Sequence, residues 1–565
     1  MAARATIWLF GPAIAWAVVA GAGVIATAVD EGAWGPLDRR ASAVVRSDTC
    51  ARCHPDEHAS WRRTYHRTMT QEARGAAVLA PFAGESLDYL GFRATMTRAA
   101  DGRPHLVVTS LDEPGAPPLL DVDVAMTVGS HRYQQYLATI DRGGGGGEVW
   151  RLPVAWHPSE GRWIHLNAAF LEPEAARGEA DEYLRHLSRW NDNCVLCHNT
   201  EPSPGIGEDG RFATAVGELG IACEACHGPA SAHVVRHSNP LRRLIAGTGL
   251  RRQDGAGSIA DPRRLTPALE SAICGRCHGN RIAADLAAVL RGGDGFLPGT
   301  ALAPRSRPIF ADSTLGDPAH APFAERFWAD GTPRLSAYEY QGLLLSPCHQ
   351  EGRPGGLGCG ECHTMHGDEP AMQLRPDRRG DQACRRCHDE AAIPAAHGGH
   401  AGAVGCVGCH MPRTTYGLVQ AMISHRIASP DPARWIGASD PPDACTLCHV
   451  DRSRARAAAS MAALGLRGGA ARAVPAEEEA WASRALLDLY GGDPLQRALA
   501  ADAIARPEAA APAAARLPWL VDALEDEYPA IRFFAIRGLR SLAAQAGRDE
   551  LAPLLAAYDV LGEAA

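Results

Sequence analysis

The sequence predicts a mostly α-helical and irregular domain with a small antiparallel β insert, followed by an α-helical repeat domain. Three observations support this fold class. Cysteine pairs recur at short intervals over residues 50–449, which leaves little room for long regular elements between them. Segments rich in Val, Ile, Trp and Phe lie in the long interval between the first two cysteine pairs. After residue 452 the composition changes to Ala, Leu and Arg.

The N-terminal segment, residues 1–29, contains an uncharged apolar run over residues 5–29, preceded by Arg4 and followed by two acidic residues. This run is long enough to span a bilayer and longer than the apolar region of an ordinary signal peptide. Residues 26–28 nevertheless have the small side chains of a cleavage site. The segment is therefore predicted to be either a signal peptide or an N-terminal membrane anchor, and both alternatives export the rest of the chain.

Eight pentads of the pattern C-x-x-C-H use all but one of the 17 cysteines: CARCH, CVLCH, CEACH, CGRCH, CGECH, CRRCH, CVGCH and CTLCH. This pattern is typical of covalent c-type haem attachment, in which two thiols bind the porphyrin and the histidine ligates the iron. Zinc sites and iron–sulfur clusters also use cysteine pairs, but they do not require a histidine after each pair. The sequence therefore predicts eight c-type haems.

The haem-attaching residues follow directly from the pentads. The thioether bonds are predicted at Cys50, Cys53, Cys194, Cys197, Cys223, Cys226, Cys274, Cys277, Cys359, Cys362, Cys384, Cys387, Cys406, Cys409, Cys445 and Cys448. The proximal iron ligands are predicted to be His54, His198, His227, His278, His363, His388, His410 and His449. Such haems are attached outside the bacterial inner membrane, so a periplasmic protein is predicted, either soluble or anchored to the inner membrane by residues 5–29.

Residues 30–86 are predicted to form a first haem segment, and residues 87–175 a β-rich insert. The insert contains three segments with alternating or β-branched and aromatic side chains, at 121–128, 148–156 and 162–170. Residues 176–452 are predicted to form a domain around haems two to eight. In this domain the flat apolar porphyrins replace side chains as the core.

Residues 453–565 contain no cysteine or histidine and are predicted to form HEAT-like helical repeats. Pro494 and Pro529 each precede an arginine by three residues, which gives a period of 35 residues. One predicted helical face contains Leu517, Leu520, Val521 and Leu524, and the next contains Ile531, Phe534, Ala535 and Leu542. The repeats are predicted either to dock a partner protein or to cap the haem domain.

A second axial ligand decides what each iron does, since six-coordinate haem transfers electrons and an open haem binds substrates. Of the 23 histidines, eight belong to pentads. The distal candidates are His66, His131, His233, His366, His397, His400 and His425. His233 follows His227 by six residues, which span at most about 20 Å, so we expect it to ligate a neighbouring haem.

These candidates are fewer than the eight haems. One haem either uses His349, His320 or a methionine, or it is open. Arg52, Arg276, Arg385 and Arg386 flank pentads and are suited to pair with haem propionates. Cys348 has no partner and is predicted to be a buried thiol. The net charge of −9 gives no indication of a nucleic-acid partner.

Several longer elements are more specific than the pentads alone, and they run from about residue 48 to residue 452: GSHRYQQYL, WNDNCVLCH, CEACHGPASAH, CGRCHGNR, FWADGTPRLSAYEYQGLLLSPC, CGECHTMH, CVGCHMPRTTYGL and DACTLCHVDR. In these elements the chain resembles exported bacterial octahaem cytochromes c that end in HEAT- or tetratricopeptide-type helical repeats. The resemblance implies electron transfer across the periplasm. It also favours as distal ligands His66, His131, His233, His366, His400 and His425.

The predicted function is that of a multihaem c-type cytochrome that transfers electrons in the periplasm, mostly through haems with two histidine ligands. Redox donor and acceptor proteins would be its partners. The alternative is a multihaem oxidoreductase with one open haem that acts on a small nitrogen or sulfur compound. The sequence contains no lysine, which excludes the enzyme type with a lysine as proximal ligand. No residue is identified as catalytic, so electron transfer is favoured over catalysis.

Overall fold

The computed structural model describes residues 15–22, 42–142, 147–173, 175–248, 258–315, 321–351, 356–388, 393, 397–400, 404–434, 441–466 and 477–562. Within these ranges the chain is a mixed α/β structure, in which fifteen strands form five antiparallel sheets. The prediction of a mostly α-helical and irregular fold is therefore wrong. The chain between residues 70 and 165 pairs more extensively than predicted, and short hairpins also form among the pentads.

The nine strands of the first region are β1 (Thr70–Glu72), β2 (Glu85–Tyr89), β3 (Phe92–Arg98), β4 (Pro104–Ser110), β5 (Leu120–Asp123), β6 (Met126–Val128), β7 (Gln134–Thr139), β8 (Val149–His157) and β9 (Arg162–His165). Strands β2 to β5 form a four-stranded sheet in sequence order, and β1, β6, β7, β8 and β9 form a five-stranded sheet in that order. Alternate side chains of β3 and β4, such as Met96 and Leu106, are buried together with Tyr136 and Leu152 of the second sheet. The two sheets therefore share one core.

Three two-stranded sheets follow pentads. They pair β10 (Asn199–Ser203) with β11 (Ala215–Leu219), β12 (Arg281–Ala283) with β13 (Ser306–Pro308), and β14 (Thr415–Tyr416) with β15 (Ala421–Met422). Each first strand lies within a few residues of the histidine that ends the second, fourth or seventh pentad. These hairpins turn the chain back over the pentads.

The helices before residue 452 are short, as expected for a chain with closely spaced cofactor sites. They are α1 (15–22), α2 (Ser47–Ala51), α3 (Pro55–Trp61), α4 (Leu166–Ala169), α5 (Ala180–Tyr183), α6 (Val195–His198), α7 (Cys223–His227), α8 (Ser231–His237), α9 (Pro240–Gly247), α10 (Pro267–Gly275), α11 (Leu286–Gly292), α12 (Glu339–Leu344), α13 (Pro347–Gln350), α14 (Gln382–Arg385) and α15 (Cys406–His410).

The C-terminal helices are α16 (Arg454–Ala463), α17 (Glu477–Trp481), α18 (Arg484–Gly491), α19 (Pro494–Ala505), α20 (Ala513–Asp522), α21 (Pro529–Gln545) and α22 (Ala552–Ala557). Helices α19 and α21 begin at the two prolines that define the predicted period. Most of the residues on the predicted faces are buried or half-buried, but Val521 is 52% exposed. The buried faces belong to one hydrophobic cluster that also contains Tyr133, Trp328, Tyr416 and Leu447.

The predicted signal peptide or membrane anchor falls largely outside the described residues, which include 15–22 but not 5–14 or 23–29. Among the residues that are described, no helix has the combined length and apolarity needed to cross a membrane. His320, one of the ligand alternatives, also lies outside the described ranges.

Candidate haem-binding sites

The pentads adopt a single helical turn. In five of them the backbone N–H of the histidine donates to the backbone carbonyl of the first cysteine at 2.7–3.0 Å. These pentads end at His54, His278, His363, His388 and His449. In the third and seventh pentads the helices α7 and α15 span all five residues. Positions three and four apart lie on one helical face. Each such turn therefore directs two thiols and one imidazole to the same side, as covalent attachment of a porphyrin requires.

Five pentad histidines face a second histidine across a gap. Each partner is one of the distal candidates. Four partners lie 49 to 212 residues away along the chain, and His397 lies 13 residues before His410. The distances between ring centroids are 6.0 Å for His278 and His66, 6.2 Å for His227 and His366, 6.3 Å for His363 and His425, 6.1 Å for His410 and His397, and 5.9 Å for His449 and His400. The spacing is nearly constant, although the angle between ring planes varies from 5° to 69°.

This spacing fits an iron ion between the two rings. An imidazole nitrogen lies about 2 Å from a metal ion that it ligates, and the ring centroid lies about 1 Å further away, so two imidazoles on opposite sides have centroids about 6 Å apart. Direct stacking would bring the rings closer, as in the Phe170 and His186 pair at 4.2 Å. The five pairs are therefore spaced for a shared metal and not for ring stacking.

The outer ring nitrogens of several candidate ligands are held by the protein. The Nδ1 atoms of His227 and His363 lie 2.8 Å from the carbonyl oxygens of Ala260 and Met372, respectively, and that of His410 lies 3.0 Å from the carbonyl oxygen of Ala428. The Nδ1 atom of His366 lies 3.2 Å from the hydroxyl of Ser60, and that of His233 lies 3.0 Å from the hydroxyl of Ser258. A partner at Nδ1 fixes the ring and leaves Nε2 for a metal.

His278 of the fourth pentad has a different partner. Its Nδ1 atom lies 3.7 Å from the carboxylate oxygen Oε2 of Glu339. In the metal-free chain this carboxylate raises the pKa of His278 to about 9. Burial alone would raise the pKa of Glu339, but contact with His278 lowers it to about 2. By contrast, burial and the nearby His278 lower the pKa of His66, on the opposite side, to about 4.

Two distal candidates are not paired in this way. The ring of His131 stacks on Tyr65 with a centroid distance of 4.1 Å. His233 lies beside His237 at 4.6 Å, and after burial the charge of His54 contributes to lowering the pKa of both. His237 was not predicted as a ligand, although its i,i+4 spacing from His233 on α8 places both on one face. Both rings are therefore candidates for the first pentad.

Among the described residues, no histidine ring lies at the 6 Å spacing from His54, His198 or His388. The alternative ligand His349 directs its Nδ1 atom to the carbonyl of Leu357 at 2.8 Å. Cys348 is half-buried, not fully buried as predicted. None of the 17 cysteines, all of which are described, forms a disulfide bond.

Cysteines from different pentads lie close enough to shift one another's pKa. The side chain of Cys223 lowers the pKa of Cys50, and Cys50 raises that of Cys223, so the first pentad lies near the third. Equivalent effects relate the second pentad to the fourth, the fourth to the fifth and the sixth to the seventh, through Cys197 and Cys277, Cys274 and Cys359, and Cys384 and Cys406.

Electrostatic contacts connect the remaining neighbours. Burial and then the charge of Cys277 raise the pKa of Cys226 to about 12, which relates the third pentad to the fourth. Burial and then Cys448 raise the pKa of Cys409, which relates the seventh to the eighth. Cys362 of the fifth pentad also contributes to raising the pKa of Cys384 in the sixth, after burial and Cys406. All eight pentads therefore belong to one continuous series, with the second attached to the fourth.

The arginines next to the pentads are partly engaged by the protein. Arg276 is buried, and its Nε atom donates to Asp294 at 2.9 Å, so this arginine has a carboxylate partner other than the predicted propionate. Arg386 forms an ion pair with Glu361 at 3.8 Å.

Comparisons with known proteins give one distant likeness. No family model matches the chain, and no curated protein matches it. Among solved structures, the chain is similar to the crystal structure of the outer cell wall cytochrome OcwA, with 16% sequence identity and a TM-score of 0.47. The similarity covers 92% of this chain and 100% of that one.

Proposed function

We propose that the chain is a multihaem c-type cytochrome that transfers electrons through eight covalently bound haems. The observation that carries this proposal is the pairing of five pentad histidines with five non-pentad histidines at centroid distances of 5.9–6.3 Å. A cysteine pair for covalent attachment stands directly before one ring of each pair. This combination is what a six-coordinate c-type haem needs from its protein.

The residues have distinct roles in this proposal. The pentad cysteines would hold the cofactor, the two histidines of each pair would ligate its iron, and the carbonyl or hydroxyl partners at Nδ1 would keep each ring oriented. When bound, haem iron supplies one-electron exchange. Two histidine ligands keep small substrates away from the iron, so the five paired sites favour electron transfer over catalysis.

The proximity of cysteines from different pentads supports a conducting series. Since each cysteine would be attached at a porphyrin edge, pentads with neighbouring cysteines would bring those edges together. The proposed order is first, third, fourth, fifth, sixth, seventh and eighth pentad, with the second as a branch at the fourth. Donor and acceptor proteins would exchange electrons with this series in the periplasm, to which residues 1–29 would direct or anchor the chain.

Ligation is tested by removing one distal histidine. The full chain, matured in a bacterium that attaches c-type haem, is expected to have a mass increased by eight haems and a spectrum in which the five haems with paired histidines are low-spin. Relative to this parent, His425→Ala should convert about one haem in eight to a high-spin form that binds carbon monoxide when reduced, because the partner of His363 is lost. The readouts are absorption and electron paramagnetic resonance spectra.

His105→Ala is the matched control, because this histidine contacts Asp121 and Asp123 on the sheet and no pentad. It should leave the spectrum unchanged. A His425→Ala spectrum identical to that of the parent would contradict the ligand assignment. A chain purified without covalent haem would contradict the function itself.

A further inference from the structure

We infer that Glu339 lowers the reduction potential of the fourth haem and thereby distinguishes this haem from its neighbours. The inference rests on the proposed function, because it requires His278 to be an iron ligand. Glu339 touches neither iron nor porphyrin in this account. It acts through His278, and it is therefore a positioning residue.

The geometry at His278 is unlike that at the other pentad histidines with an assigned partner. His227, His363 and His410 each direct Nδ1 to a neutral backbone carbonyl. The Nδ1 atom of His449 is buried without a hydrogen-bond partner. The Nδ1 atom of His278 instead lies 3.7 Å from a buried carboxylate oxygen of Glu339 that accepts no hydrogen bond. The other carboxylate oxygen of Glu339 accepts from the N–H of Ala337 at 3.3 Å.

Helix α12 holds Glu339 firmly against the fourth pentad. The N–H of Tyr340 donates to the carbonyl of His278 at 3.0 Å. The ring of Tyr340 lies so close to Gly275 that a Cβ atom there would meet it at 2.6 Å. The amide of Gln341 donates to the carbonyl of Asn280 at 2.7 Å. These contacts fix the first turn of α12 on both sides of His278, so the carboxylate is positioned by the fold.

At 3.7 Å the Glu339 carboxylate is too far from Nδ1 for a hydrogen bond, so it acts on His278 through its charge. A negative charge this close stabilises ferric relative to ferrous iron, which lowers the reduction potential. Arg132 is also within electrostatic range of Glu339, and its positive charge opposes this effect.

The position of the fourth pentad in the series determines what a lowered potential of its haem would do. The fourth pentad adjoins three others, since Cys277 lies beside Cys197 and Cys226, and Cys274 lies beside Cys359. Every electron that passes between the first three haems and the last four would cross this junction. A low potential there makes the fourth haem the last to be reduced, and it separates the series into two groups.

The test is Glu339→Gln, which removes the charge and keeps the shape. Potentiometric titration followed by electron paramagnetic resonance should show one low-spin component in eight moving to higher potential with altered g values, and the other seven unchanged. His66→Met identifies that component, because it changes only the distal ligand of the fourth haem. Glu160→Gln is the control, since the Glu160 side chain is 20% exposed but pairs with Arg162 and belongs to no pentad.

An eight-haem Glu339→Gln protein with potentials and g values like those of the parent would overturn the inference and leave the proposed function intact. If Glu339→Gln does not accumulate, Glu339→Asp retains the charge but withdraws it from Nδ1, and the same component should move in the same direction. An unmoved component in Glu339→Asp would equally overturn the inference. Absence of covalent haem in the parent chain would instead refute the proposed function.

Discussion

At the scale of single residues, the sequence predicts which groups would hold a cofactor but not how they pair. The pentads predict the proximal histidines without any structural information. Which distal ring faces which pentad depends on long-range folding, as for His66 and His278. His131, a predicted ligand, stacks on Tyr65, and His237, which was not predicted as a ligand, shares a helical face with His233. The spacing of the histidines along the chain does not show which of them face a pentad histidine in the fold.

The buried Arg276–Asp294 ion pair gives a stability prediction. Burial alone would raise the pKa of Asp294, but Arg276 outweighs it and the pKa is lowered from 3.8. The stabilisation is therefore complete above the unfolded pKa and is lost as the pH falls through the lower folded value. Asp294→Asn should lower the free energy of unfolding by about 3–5 kcal/mol, because it leaves Arg276 buried without its charge partner.

Thermal denaturation at several pH values tests this prediction. The difference in melting temperature between parent and Asp294→Asn should be largest near neutral pH and should shrink below pH 3.8. Asp88→Asn is the control, because the Asp88–Arg93 pair is about half exposed and pairs of that kind contribute little. A difference that does not depend on pH would contradict the role given to the ion pair.

At the scale of elements, the sequence predicted three β segments and overlooked the hairpins around them. Strands β2 and β3 pair from Tyr89 and Phe92 through a two-residue turn in which Leu90 and Gly91 both have positive φ, 49° and 80°. Such turns are usually recognised by Asn-Gly or Asp-Gly, and a leucine at the first position gives no such signal. The fold class was wrong largely because tertiary pairing overrode local turn preferences.

The N-terminus of α19 gives a prediction at this scale. The Asp493 side chain accepts from the N–H groups of Leu495 and Gln496 at 3.0 Å, and the Gln496 side chain accepts from the N–H of Asp493 in return. Asp493 also forms an ion pair with Arg334, which lies before the fifth pentad. Asp493→Ala should lower the free energy of unfolding by about 1–2 kcal/mol through loss of the cap.

Asp493→Asn separates the two roles, because asparagine retains a capping oxygen and loses the charge. Asp493→Asn should lower the free energy of unfolding clearly less than Asp493→Ala does. Chemical denaturation followed by circular dichroism measures both values. Equal losses for the two variants would mean that the ion pair with Arg334, and not the cap, supplies the stability.

At the scale of the whole molecule, the C-terminal helices pack against the region that contains the pentads. Leu447 of the eighth pentad is buried in the same cluster as Leu499, Phe534 and Leu542. The N–H of Ala510 donates to the carbonyl of Cys448 at 2.9 Å. Composition separated residues 453–565 from the preceding chain, but it contained no information on this interface.

Deletion of residues 453–565 is therefore expected to disturb the haem region itself. It would expose Tyr133, Trp328, Tyr416 and Leu447 to water and remove a backbone partner of the eighth pentad. The truncated chain should accumulate poorly or carry fewer than eight haems by mass. A stable truncated protein with eight haems and an unchanged spectrum would contradict this expectation.

Docking of a partner by the C-terminal helices is therefore better tested by surface substitutions than by deletion. Trp481 and Tyr490 are 72% and 55% exposed and lie in one groove with Asp451, two residues after His449. The double variant Trp481→Ser, Tyr490→Ser should retain eight haems and weaken co-purification with a redox partner. Leu554→Ser, at a site 69% exposed and outside this groove, is the control.

The histidine pairs that join separate segments of the chain also constrain the order in which the protein assembles. His227 precedes its partner His366 in the chain, and His363 precedes His425, so a chain that emerges N-terminus first presents these anchoring sites before the rings that close them. The haems at these early pentads would have only the pentad histidine as a ligand during export. They would gain the second histidine only after the later segments are exported. Arrest of translocation before residue 366 should thus leave a partially assembled molecule whose third iron remains accessible to carbon monoxide.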